Sequence, residues 1–473
     1  MAIKFSKEQV LDRLKFENPW WETTKIDEFY SKMKRREYFR LLFPLITERR
    51  IKRAVVLMGP RRVGKTVLLF HCIEKLLSNG VNPKNICYFS IETPLYNGIA
   101  LEELLNLFLE LNNKKSSVET YVFFDEIQYL KDWELHLKSL VDSYHNVKFV
   151  VSGSAAAALK LKSQESGAGR FTEFILPPLT FHEFLSLTNN EDLIDKYDDE
   201  DRKIYKVKNI EELNQKFLDY INFGGYPELS LSEAIQSDPG RYIRNDIIDK
   251  VLMRDLPSLY GINDVQELNS LFTYIAYNSG NEMSLESISQ NSGVAKNTIK
   301  KYITYLEAAF LIKVIHRIDQ NGKKFKRANF FKIYLTNPSL RSALFSPIEK
   351  DDEFMGNMVE TAIFAQWQHS QDSPLYYARW NSGEIDIVSL NSKQKPDWCI
   401  EIKWSNRFAE KPFELKNAKL FCNKHNLKFV MITTIDIEKT IIHDGVEYDF
   451  LPASQYCYTV GKNLIDGRKP KPE

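Results

Sequence analysis

The sequence GPRRVGKT, residues Gly59–Thr66, fits the phosphate-binding pattern GxxxxGK[ST] at every fixed position. A strand-like run (Ala54–Met58) precedes it and a helix-like run (Val67–Leu77) follows it, as the pattern requires. Glycines let backbone N–H groups close on phosphate oxygens, and the helix N-terminus adds favourable potential. The pattern predicts a nucleoside triphosphate site, with Lys65 on the β and γ phosphates and Thr66 on Mg²⁺. The residues expected to line it are Gly59, Pro60, Arg61, Arg62, Val63, Gly64, Lys65, Thr66 and Val67.

Two carboxylates end an apolar run in VFFDE, Val122–Glu126. Asp125 is expected to hold the Mg²⁺ shell and Glu126 to orient or activate the attacking water, a division of labour that hydrolysis requires. The alternative is that both are ordinary acids at a strand end. No NKxD sequence, the usual guanine-reading element, occurs in the chain. The prediction is therefore hydrolysis of ATP, with Mg²⁺.

Short apolar runs alternate with helix-length segments from Ala54 to Leu179, which predicts a parallel sheet with covering helices. From there to about Leu259 the pattern is mainly helical. The expected strands are AVVLM, ICYFSI, YVFF, VKFVV and FTEFIL. The fold class is α/β.

The order of these features resembles that of AAA-type ATPases. After the phosphate loop and VFFDE, the strand VKFVV leads into Ser152-Gly153-Ser154, and AGR precedes FTEFIL. In that family a polar residue after the fourth strand senses the γ phosphate, so the resemblance implies Ser152 or Ser154. An arginine before the fifth strand reaches a neighbouring subunit as a finger, and Arg170 has that place, which implies a homo-oligomer. Alternatively, Arg170 is an ordinary loop arginine or acts within its own subunit.

Further matches extend the resemblance over nearly the whole chain. The chain is similar to a bacterial and archaeal group of AAA-type ATPases whose C-terminal part is domain of unknown function 4143. The matching stretches are NPWW (Asn18–Trp21), LPPLTFHEFL (Leu176–Leu185), GGYPE (Gly224–Glu228) and KIYLTNPSL (Lys332–Leu340).

A helix-turn-helix is predicted within Met283–Ile315, with Ser292-Gly293-Val294 as its turn. Two strand candidates follow it and flank Asn321-Gly322, the dipeptide that most favours a tight hairpin. The unit therefore looks like a winged helix with a basic wing at Lys323–Arg327. Contact with DNA and packing against the rest of the protein are both open for it. The side chains expected to project outward, of types suited to bases and phosphates, are Lys296, Asn297, Thr298, Lys300 and Lys301.

The stretch GEIDIVSLNSKQKPDWCIEIKWS, Gly383–Ser405, places three charged residues in two apolar strand candidates. Residues two apart share one face of a strand, so Glu401 and Lys403 are expected to point the same way. Antiparallel pairing would bring Asp386 beside Glu401, giving hard oxygen ligands for Mg²⁺. A second ExK sequence, Glu414–Lys416, begins an amphipathic helix instead and serves as a comparison.

The order of a glutamate in a helix, an aspartate in a strand and ExK in the next strand resembles the PD-(D/E)XK nuclease fold, especially archaeal Holliday-junction resolvases. The resemblance implies that Glu360, Asp386 and Glu401 hold metal while Lys403 positions water or stabilises charge. Glu384 is a further candidate. The alternative is a set of charges on a mixed sheet, or a nuclease fold that only binds.

Five domains are expected: an N-terminal helical segment (1–50), the AAA-type core (51–180), a helical lid (181–260), a winged helix-turn-helix (261–348) and a restriction-endonuclease-like α/β domain (349–473). The basic residues of the first segment are read as a solvated helix face rather than a nucleic-acid surface. They are Lys32, Lys34, Arg35, Arg36, Arg40, Arg49 and Arg50.

Composition excludes several classes of protein. The chain has 473 residues with 43% hydrophobic and 27% charged residues, which is typical of globular domains. A formal net charge of +1 gives no indication of a nucleic-acid partner. Five cysteines form no CxxC pair, and no apolar stretch has signal-peptide or membrane-span length, so a cytoplasmic protein is expected.

Two hypotheses about function follow. In the first, an ATPase is associated with DNA through the winged helix and the C-terminal domain. The C-terminal domain is then a metal-dependent endonuclease. In the second, an ATP switch recruits partners through the same regions, and nothing is cut.

Overall fold

The computed structural model describes residues 6–113, 118–154, 169–195, 205–324, 329–368, 374–380 and 383–467. The chain divides into two compact units, Met1–Pro177 and Pro178–Glu473. Within the described ranges, every helix is too short or too polar to span a bilayer.

The first unit is a parallel sheet with helices around it. Its strands are β1 (Ala54–Met58), β2 (Ile86–Ser90), β3 (Thr120–Asp125), β4 (Val147–Gly153) and β5 (Phe171–Ile175). Its α-helices are α1 (Lys7–Glu17), α2 (Trp20–Thr23), α3 (Glu28–Ser31), α4 (Phe39–Thr47), α5 (Lys65–Ser78), α6 (Leu101–Leu111) and α7 (Trp133–Ser143). Short 3₁₀ turns lie at Pro83–Asn85, Pro94–Tyr96 and Ile127–Tyr129.

The five strands pair in the order β2-β3-β4-β1-β5, all parallel. All five are at the predicted positions, so the prediction of a parallel α/β sheet is confirmed. Every residue of β1, an interior strand of the sheet, is buried, as expected for a strand covered on both faces. Because the strands are parallel, the loops after β1, β3 and β4 emerge at one edge of the sheet. The phosphate loop and the Asp125-Glu126 pair therefore share that edge.

Arg49 departs from the prediction of a solvated helix face. Its guanidinium donates hydrogen bonds to the carbonyls of Asn146 (3.2 Å) and Thr120 (3.3 Å) and lies over the ring of Tyr121. The side chain thus attaches the segment before β1 to the opposite edge of the sheet, where β3 and β4 begin. Sequence periodicity could not show this, because the partners are more than 70 residues away along the chain.

The second unit contains more strands and helices. Its strands are β6 (Ile194–Asp195), β7 (Lys206–Val207), β8 (Glu282–Ser284), β9 (Ile312–Ile318), β10 (Phe330–Leu335), β11 (Leu375–Trp380), β12 (Gly383–Leu390), β13 (Pro396–Glu401), β14 (Phe429–Thr434), β15 (Lys439–His443) and β16 (Val446–Pro452). Its α-helices are α8 (Phe181–Leu187), α9 (Ile210–Phe223), α10 (Pro227–Leu231), α11 (Glu233–Gln236), α12 (Leu256–Tyr260), α13 (Val265–Tyr277), α14 (Leu285–Ser292), α15 (Lys296–Ala308), α16 (Ser339–Leu344), α17 (Met355–Trp367), α18 (Arg407–Glu410), α19 (Lys416–His425) and α20 (Ala453–Ile465). Gly240–Asp249 and Val251–Asp255 are π-helical, and 3₁₀ turns lie at Glu191–Leu193 and Pro412–Glu414.

Nine of these strands form one mixed sheet in the described part of the unit, in the order β15-β16-β14-β13-β12-β11-β9-β10-β8. The parallel pair β9 and β11 joins strands on both sides of the expected boundary at residue 348. One hydrophobic cluster contains Phe181, Ile315, Tyr377 and Leu451, which come from all three domains expected here. The limits of a lid, a winged helix and a nuclease-like domain therefore stay predictions, inside a unit with a shared sheet and core.

The predicted helix-turn-helix and hairpin elements are present. Helix α14 ends at Gly293, whose φ of 74° is in the left-handed region, and α15 begins three residues later. Strands β9 and β10 pair antiparallel, and Gly322 donates a backbone hydrogen bond to Asp319 (3.0 Å) in the turn between them. Residues 325–327 of the expected wing lie outside the described residues. Whether the elements form a winged helix stays a prediction.

Candidate functional site

The phosphate loop connects β1 to α5, whose first residue is Lys65. Arg62 (φ 64°) and Gly64 (φ 89°) are in the left-handed region, which turns successive backbone groups inward. At Gly59 an added Cβ would lie 2.2 Å from the carbonyl oxygen of Leu176, so no other residue fits without moving backbone. The glycines of the pattern are therefore required by this local geometry.

Lys65 is buried within the loop. Its ammonium donates hydrogen bonds to the carbonyls of Gly59 (3.1 Å) and Pro60 (2.8 Å). These two carbonyls hold the positive charge over the loop. A lysine in this place can exchange the carbonyls for phosphate oxygens with little movement of the backbone.

Asp125 ends β3 and faces the start of α5. The Thr66 hydroxyl donates to its Oδ2 (2.7 Å), the Tyr88 hydroxyl donates to the same oxygen (2.8 Å), and the Ser152 hydroxyl donates to Oδ1. Burial raises the pKa of Asp125 and the charge of Glu126 raises it further, against the lowering effect of these hydrogen bonds.

A hydroxyl and a carboxylate in contact suit Mg²⁺, which takes hard oxygen ligands and is usually completed by substrate phosphates and water. Thr66 and Asp125 therefore fit the ion that the sequence predicts. When bound, Mg²⁺ would neutralise charge on the β and γ phosphates.

Glu126 follows directly and is held in a left-handed conformation, with φ of 54°. The Gln128 amide donates a hydrogen bond to its carboxylate and accepts one from the backbone N–H of Ser154 (3.1 Å). The Ser154 hydroxyl is buried and has no hydrogen-bond partner among the described residues. Of the two serines considered as phosphate sensors, Ser152 is therefore engaged by Asp125 while Ser154 is available.

Arg170 lies just before β5, in a described part of the AGR sequence whose Ala168 is outside the described residues. Its guanidinium pairs with Asp142 at 3.2 Å, and its carbonyl accepts a hydrogen bond from Ala54, the first residue of β1. The phosphate loop follows the other end of β1, about 16 Å away for five strand residues. Arg170 is thus at the edge of the sheet opposite its own phosphate loop.

In the second unit, Asp386, Glu401 and Lys403 lie together. Pairing of Ile387 with Ile400 between antiparallel β12 and β13 places Asp386 beside Glu401. The Lys403 ammonium contacts Asp386 at 3.0 Å and Glu401 at 2.8 Å.

The expectation that Lys403 lies in the strand was wrong, because β13 ends at Glu401. After that residue, side chains replace the backbone ladder: Ile402 N–H donates to Asp386 and Lys403 N–H donates to Thr433. The second ExK sequence is helical from Lys416, as predicted.

Glu360 lies on α17 and contacts a residue for which sequence analysis gave no role. The Lys332 ammonium of β10 contacts Glu360 at 2.9 Å, Glu384 at 2.6 Å and Asp386 at 3.9 Å. The Tyr334 hydroxyl also donates to Glu360. We call the six residues Lys332, Glu360, Glu384, Asp386, Glu401 and Lys403 the lysine-carboxylate cluster.

The ionisable groups of this cluster shift one another's pKa values. Burial raises the pKa of Glu401 to about 8, with Lys403 opposing and Asp386 adding to the shift. Burial would also raise the pKa of Asp386, but Lys403 and Lys332 outweigh it and bring that pKa below its usual value. For Lys332, burial lowers the pKa, yet the charges of Glu360, Asp386 and Glu384 raise it overall. Lys332 is therefore a permanent cation in the cluster.

The cluster does not fit the metal site implied by the nuclease resemblance. Among the described residues no group of three Asp, Glu, His or Cys side chains is arranged to hold an ion. An ammonium group already contacts each pair of these carboxylates: Lys332 contacts Glu360 and Asp386, and Lys403 contacts Asp386 and Glu401. No catalytic step through a metal is derived for this unit.

The predicted DNA-facing residues of α15 lie on its outer surface. Lys296, Asn297, Lys300 and Lys301 are exposed and Thr298 is half-buried, whereas Ile299 and Ile303 face the core. Lys296 pairs with Glu286 of α14. The remaining lysines give this helix a positively charged face.

A family model described as an AAA domain matches residues 51–185, which contain the five parallel strands, the phosphate loop and the Asp125-Glu126 pair. Residues 51–185 are thus similar to an AAA domain and contain a phosphate loop, and we refer to them below as the AAA domain. A second family model, a domain of unknown function (DUF8612), matches residues 214–352. This match ends at residue 352, so the resemblance suggested for the C-terminal part stays a prediction.

Curated relatives extend beyond the AAA domain. An uncharacterized protein of Haemophilus influenzae is 26% identical over 397 residues, covering 83% of this chain and 91% of its own length. One from Methanocaldococcus jannaschii is 26% identical over 404 residues, covering 82% and 84%. The Orc1 protein of Aeropyrum pernix, solved in complex with DNA, is 12% identical and covers 69% of this chain and 95% of its own, with a TM-score of 0.32. A likeness at that TM-score establishes neither fold nor function for this chain.

Near the phosphate loop, three residues of the first unit were missed as site residues or misread from sequence. Tyr88 and Gln128 carry no motif that would have indicated contacts with Asp125 and Glu126. Arg36, read as part of a solvated helix face, is only 5% exposed, and its guanidinium donates to the carbonyls of Val63 (2.9 Å) and Pro177 (3.0 Å). Arg36 therefore connects the N-terminal segment to the phosphate loop itself.

The Arg36→Ala variant is expected to lose about 2–3 kcal/mol of unfolding free energy and to bind nucleotide more weakly, because two carbonyls lose a charged donor. Chemical denaturation and titration with a fluorescent nucleotide measure the two effects. Arg35→Ala is the matched control, since Arg35 is about half exposed and pairs with Glu74. A surface pair of that kind is worth less than about 1 kcal/mol. Equal losses in the two variants would contradict the role given to Arg36.

Proposed function

We propose that the protein binds and hydrolyses ATP at the AAA domain. The observation that carries the proposal is the contact between Thr66 and Asp125 (2.7 Å), with Lys65 held over the loop and Glu126 next to Asp125. A loop that only bound phosphate would not need a second carboxylate at this edge of the sheet. The absence of NKxD from the sequence favours adenine over guanine.

Each residue of the site has a separate role in ATP binding or hydrolysis. Backbone N–H groups of Gly59–Thr66 and the Lys65 ammonium bind the phosphates. Thr66 and Asp125 orient and hold Mg²⁺, and Glu126 positions the water that attacks the γ phosphate. Ser154 supplies a hydroxyl toward that phosphate, and Tyr88 fixes the orientation of Asp125. Proton transfer from water to the Glu126 carboxylate accompanies the attack.

The direct test is release of phosphate from ATP by the purified full chain with Mg²⁺, compared with GTP. Turnover of ATP in preference to GTP is the expected result. Absence of turnover under conditions where ATP binds would leave a nucleotide-binding protein and refute hydrolysis.

Arg170 is proposed to act on a neighbouring subunit. Its place at the far edge of the sheet keeps it from its own phosphate loop, so only a second copy could bring it to a γ phosphate. Such a finger stabilises charge developing on the transferred phosphoryl group. The ATPase would then require a homo-oligomer.

DNA binding by the second unit is a further proposal, supported by the exposed lysine face of α15. The helix-turn-helix leaves this face uncovered by the rest of the unit, and its side chains suit phosphates and base edges. Lys323 and Lys324, in the hairpin that follows the helix-turn-helix along the chain, are also exposed. The winged-helix interpretation is part of this proposal.

A variant with Lys300→Ala and Lys301→Ala is expected to bind duplex DNA more weakly, with a salt dependence reduced by about two counterions. Fluorescence anisotropy at several salt concentrations measures both quantities. The control replaces Lys7 and Lys15, two exposed helical lysines of the first unit, by alanine. An unchanged salt slope in the first variant would refute contact through α15.

Metal-dependent cleavage of DNA is not proposed for the second unit, because the lysine-carboxylate cluster does not fit a metal. An ATP switch that recruits partners without cutting is the alternative. It predicts ATP turnover without any dependence on DNA.

A further inference from the structure

The lysine-carboxylate cluster has the acidic residues of a metal site but contains lysine ammonium groups where the carboxylates meet. Lys332 contacts Glu360 and Glu384 within 2.9 Å and lies 3.9 Å from Asp386. Lys403 contacts Asp386 and Glu401 within 3.0 Å. Four carboxylates are therefore bridged in sequence by two ammonium groups, with Asp386 shared between them.

We propose that Lys332 is a tethered counter-ion that takes the place of a divalent cation in this cluster. The cluster is consequently assembled without metal and does not bind Mg²⁺ or Mn²⁺. This proposal concerns the second unit alone and does not depend on ATP hydrolysis in the AAA domain.

The backbone around Lys332 favours a fixed position for its side chain. Strand β10 is paired on both sides, with Ile315 of β9 and Glu282 of β8 opposite Lys332. Lys332 is only 4% exposed, and its ammonium lies over the ring of Tyr377. A divalent ion entering between Glu360 and Asp386 would meet this ammonium at close range. Repulsion between the two cations would oppose its binding.

The same contacts give the cluster a structural consequence. Lys332 belongs to the hairpin that follows the helix-turn-helix, while Glu360 lies on α17, and Asp386 and Glu384 lie on β12. The ion pairs therefore attach the hairpin to the C-terminal strands from within. Removing one partner leaves buried charge uncompensated, which is strongly destabilising.

The test measures Mn²⁺ binding by electron paramagnetic resonance on the full chain without nucleotide. Wild type, Lys332→Ala and Lys332→Met are compared, and circular dichroism monitors their folding. Methionine retains an unbranched stem of similar size and keeps the test usable if the alanine variant unfolds. Lys313→Ala is the matched control, because Lys313 is an exposed lysine of the adjacent β9 whose ammonium pairs with Glu307 at 3.2 Å, outside the cluster.

We expect no Mn²⁺ at the lysine-carboxylate cluster in wild type or in Lys313→Ala, and one new site in the Lys332 variants that is lost when Asp386→Asn is added. Mn²⁺ binding by wild type that Asp386→Asn removes would overturn the proposal. Folded Lys332 variants without a new site would overturn it as well. If neither Lys332 variant folds, Mn²⁺ binding by wild type is compared with Mn²⁺ binding by Asp386→Asn, and this comparison still tests whether the cluster binds the ion.

A second measurement uses DNA. Wild type and Asp386→Ala are incubated with linear, single-stranded and four-way-junction DNA in Mg²⁺ or Mn²⁺, with and without ATP. We expect that neither protein cleaves any of these DNAs. Cleavage by wild type that is missing from Asp386→Ala would overturn the proposal.

Discussion

Replacement of Glu126 by glutamine is expected to lower ATP turnover by about 10²–10⁴-fold while ATP binding is retained. Glutamine keeps the size and the hydrogen-bonding reach of the side chain but cannot accept a proton from water. Binding depends on the phosphate loop and Lys65, which the substitution does not touch. The effect should therefore appear in kcat and hardly in the nucleotide dissociation constant.

Steady-state phosphate release and equilibrium titration with a fluorescent ATP analogue separate the two effects. Glu103→Gln, at an exposed position on α6, is the matched control and should leave both values unchanged. Turnover in Glu126→Gln equal to that of wild type would refute the catalytic assignment. A parallel loss of binding would instead indicate that Glu126 supports the loop.

The second large effect is expected from Lys65→Ala, which should weaken ATP binding by about 10²–10⁴-fold. Contacts between an ammonium and two phosphates are worth about 1.5–3 kcal/mol each, and every 1.4 kcal/mol is tenfold in affinity. The contacts of Lys65 with the carbonyls of Gly59 and Pro60 would also be lost.

Lys75→Ala is the control for this substitution. Lys75 is on the same helix, about 15 Å along its axis from Lys65. Isothermal titration of both variants with ATP and Mg²⁺ measures the difference. Similar dissociation constants for the two would refute the role of Lys65 in phosphate binding.

The Lys65→Ala protein also tests whether Arg170 acts between subunits. Arg170→Ala retains its phosphate loop but lacks the finger, and Lys65→Ala retains the finger but lacks the loop. Mixing the two should restore part of the hydrolysis, because some interfaces then combine one intact loop with one intact arginine. No recovery, with co-assembly shown by light scattering, would contradict a role in trans.

Much of the first unit can be predicted from short stretches of sequence. GPRRVGKT encodes most of its own loop, because Gly64 supplies a left-handed turn and the helix follows directly, whereas Gly59 is required by the close approach of Leu176. The apolar runs mark the five strands, whereas their order β2-β3-β4-β1-β5 is seen only in the structure. In the second unit the Asn321-Gly322 turn and the spacing of Ile299, Ile303 and Leu306 likewise predict elements that the structure contains.

The sequence was a poorer guide to which partner a polar side chain contacts. Ser152 and Ser154 are indistinguishable in sequence, and only the contact of Ser152 with Asp125 leaves Ser154 available. Arg36 looked like other basic residues of its segment until its burial against Val63 was known. In each case the deciding neighbour is tens of residues away along the chain.

The lysine-carboxylate cluster shows most clearly what the sequence predicts and what depends on packing. Residue order alone predicts that Asp386, Glu401 and Lys403 meet, because adjacent antiparallel strands and near neighbours along the chain bring them together. Lys332 contacts Glu360 from 28 residues away and Asp386 from farther still, because of how α17 and the mixed sheet pack together, which no local pattern encodes. Periodicity and turn chemistry act over a few residues, so they specify elements and nearby pairs. Which charges neutralise one another in a buried site depends on how the elements pack, and here the packing places an ammonium where a metal was expected.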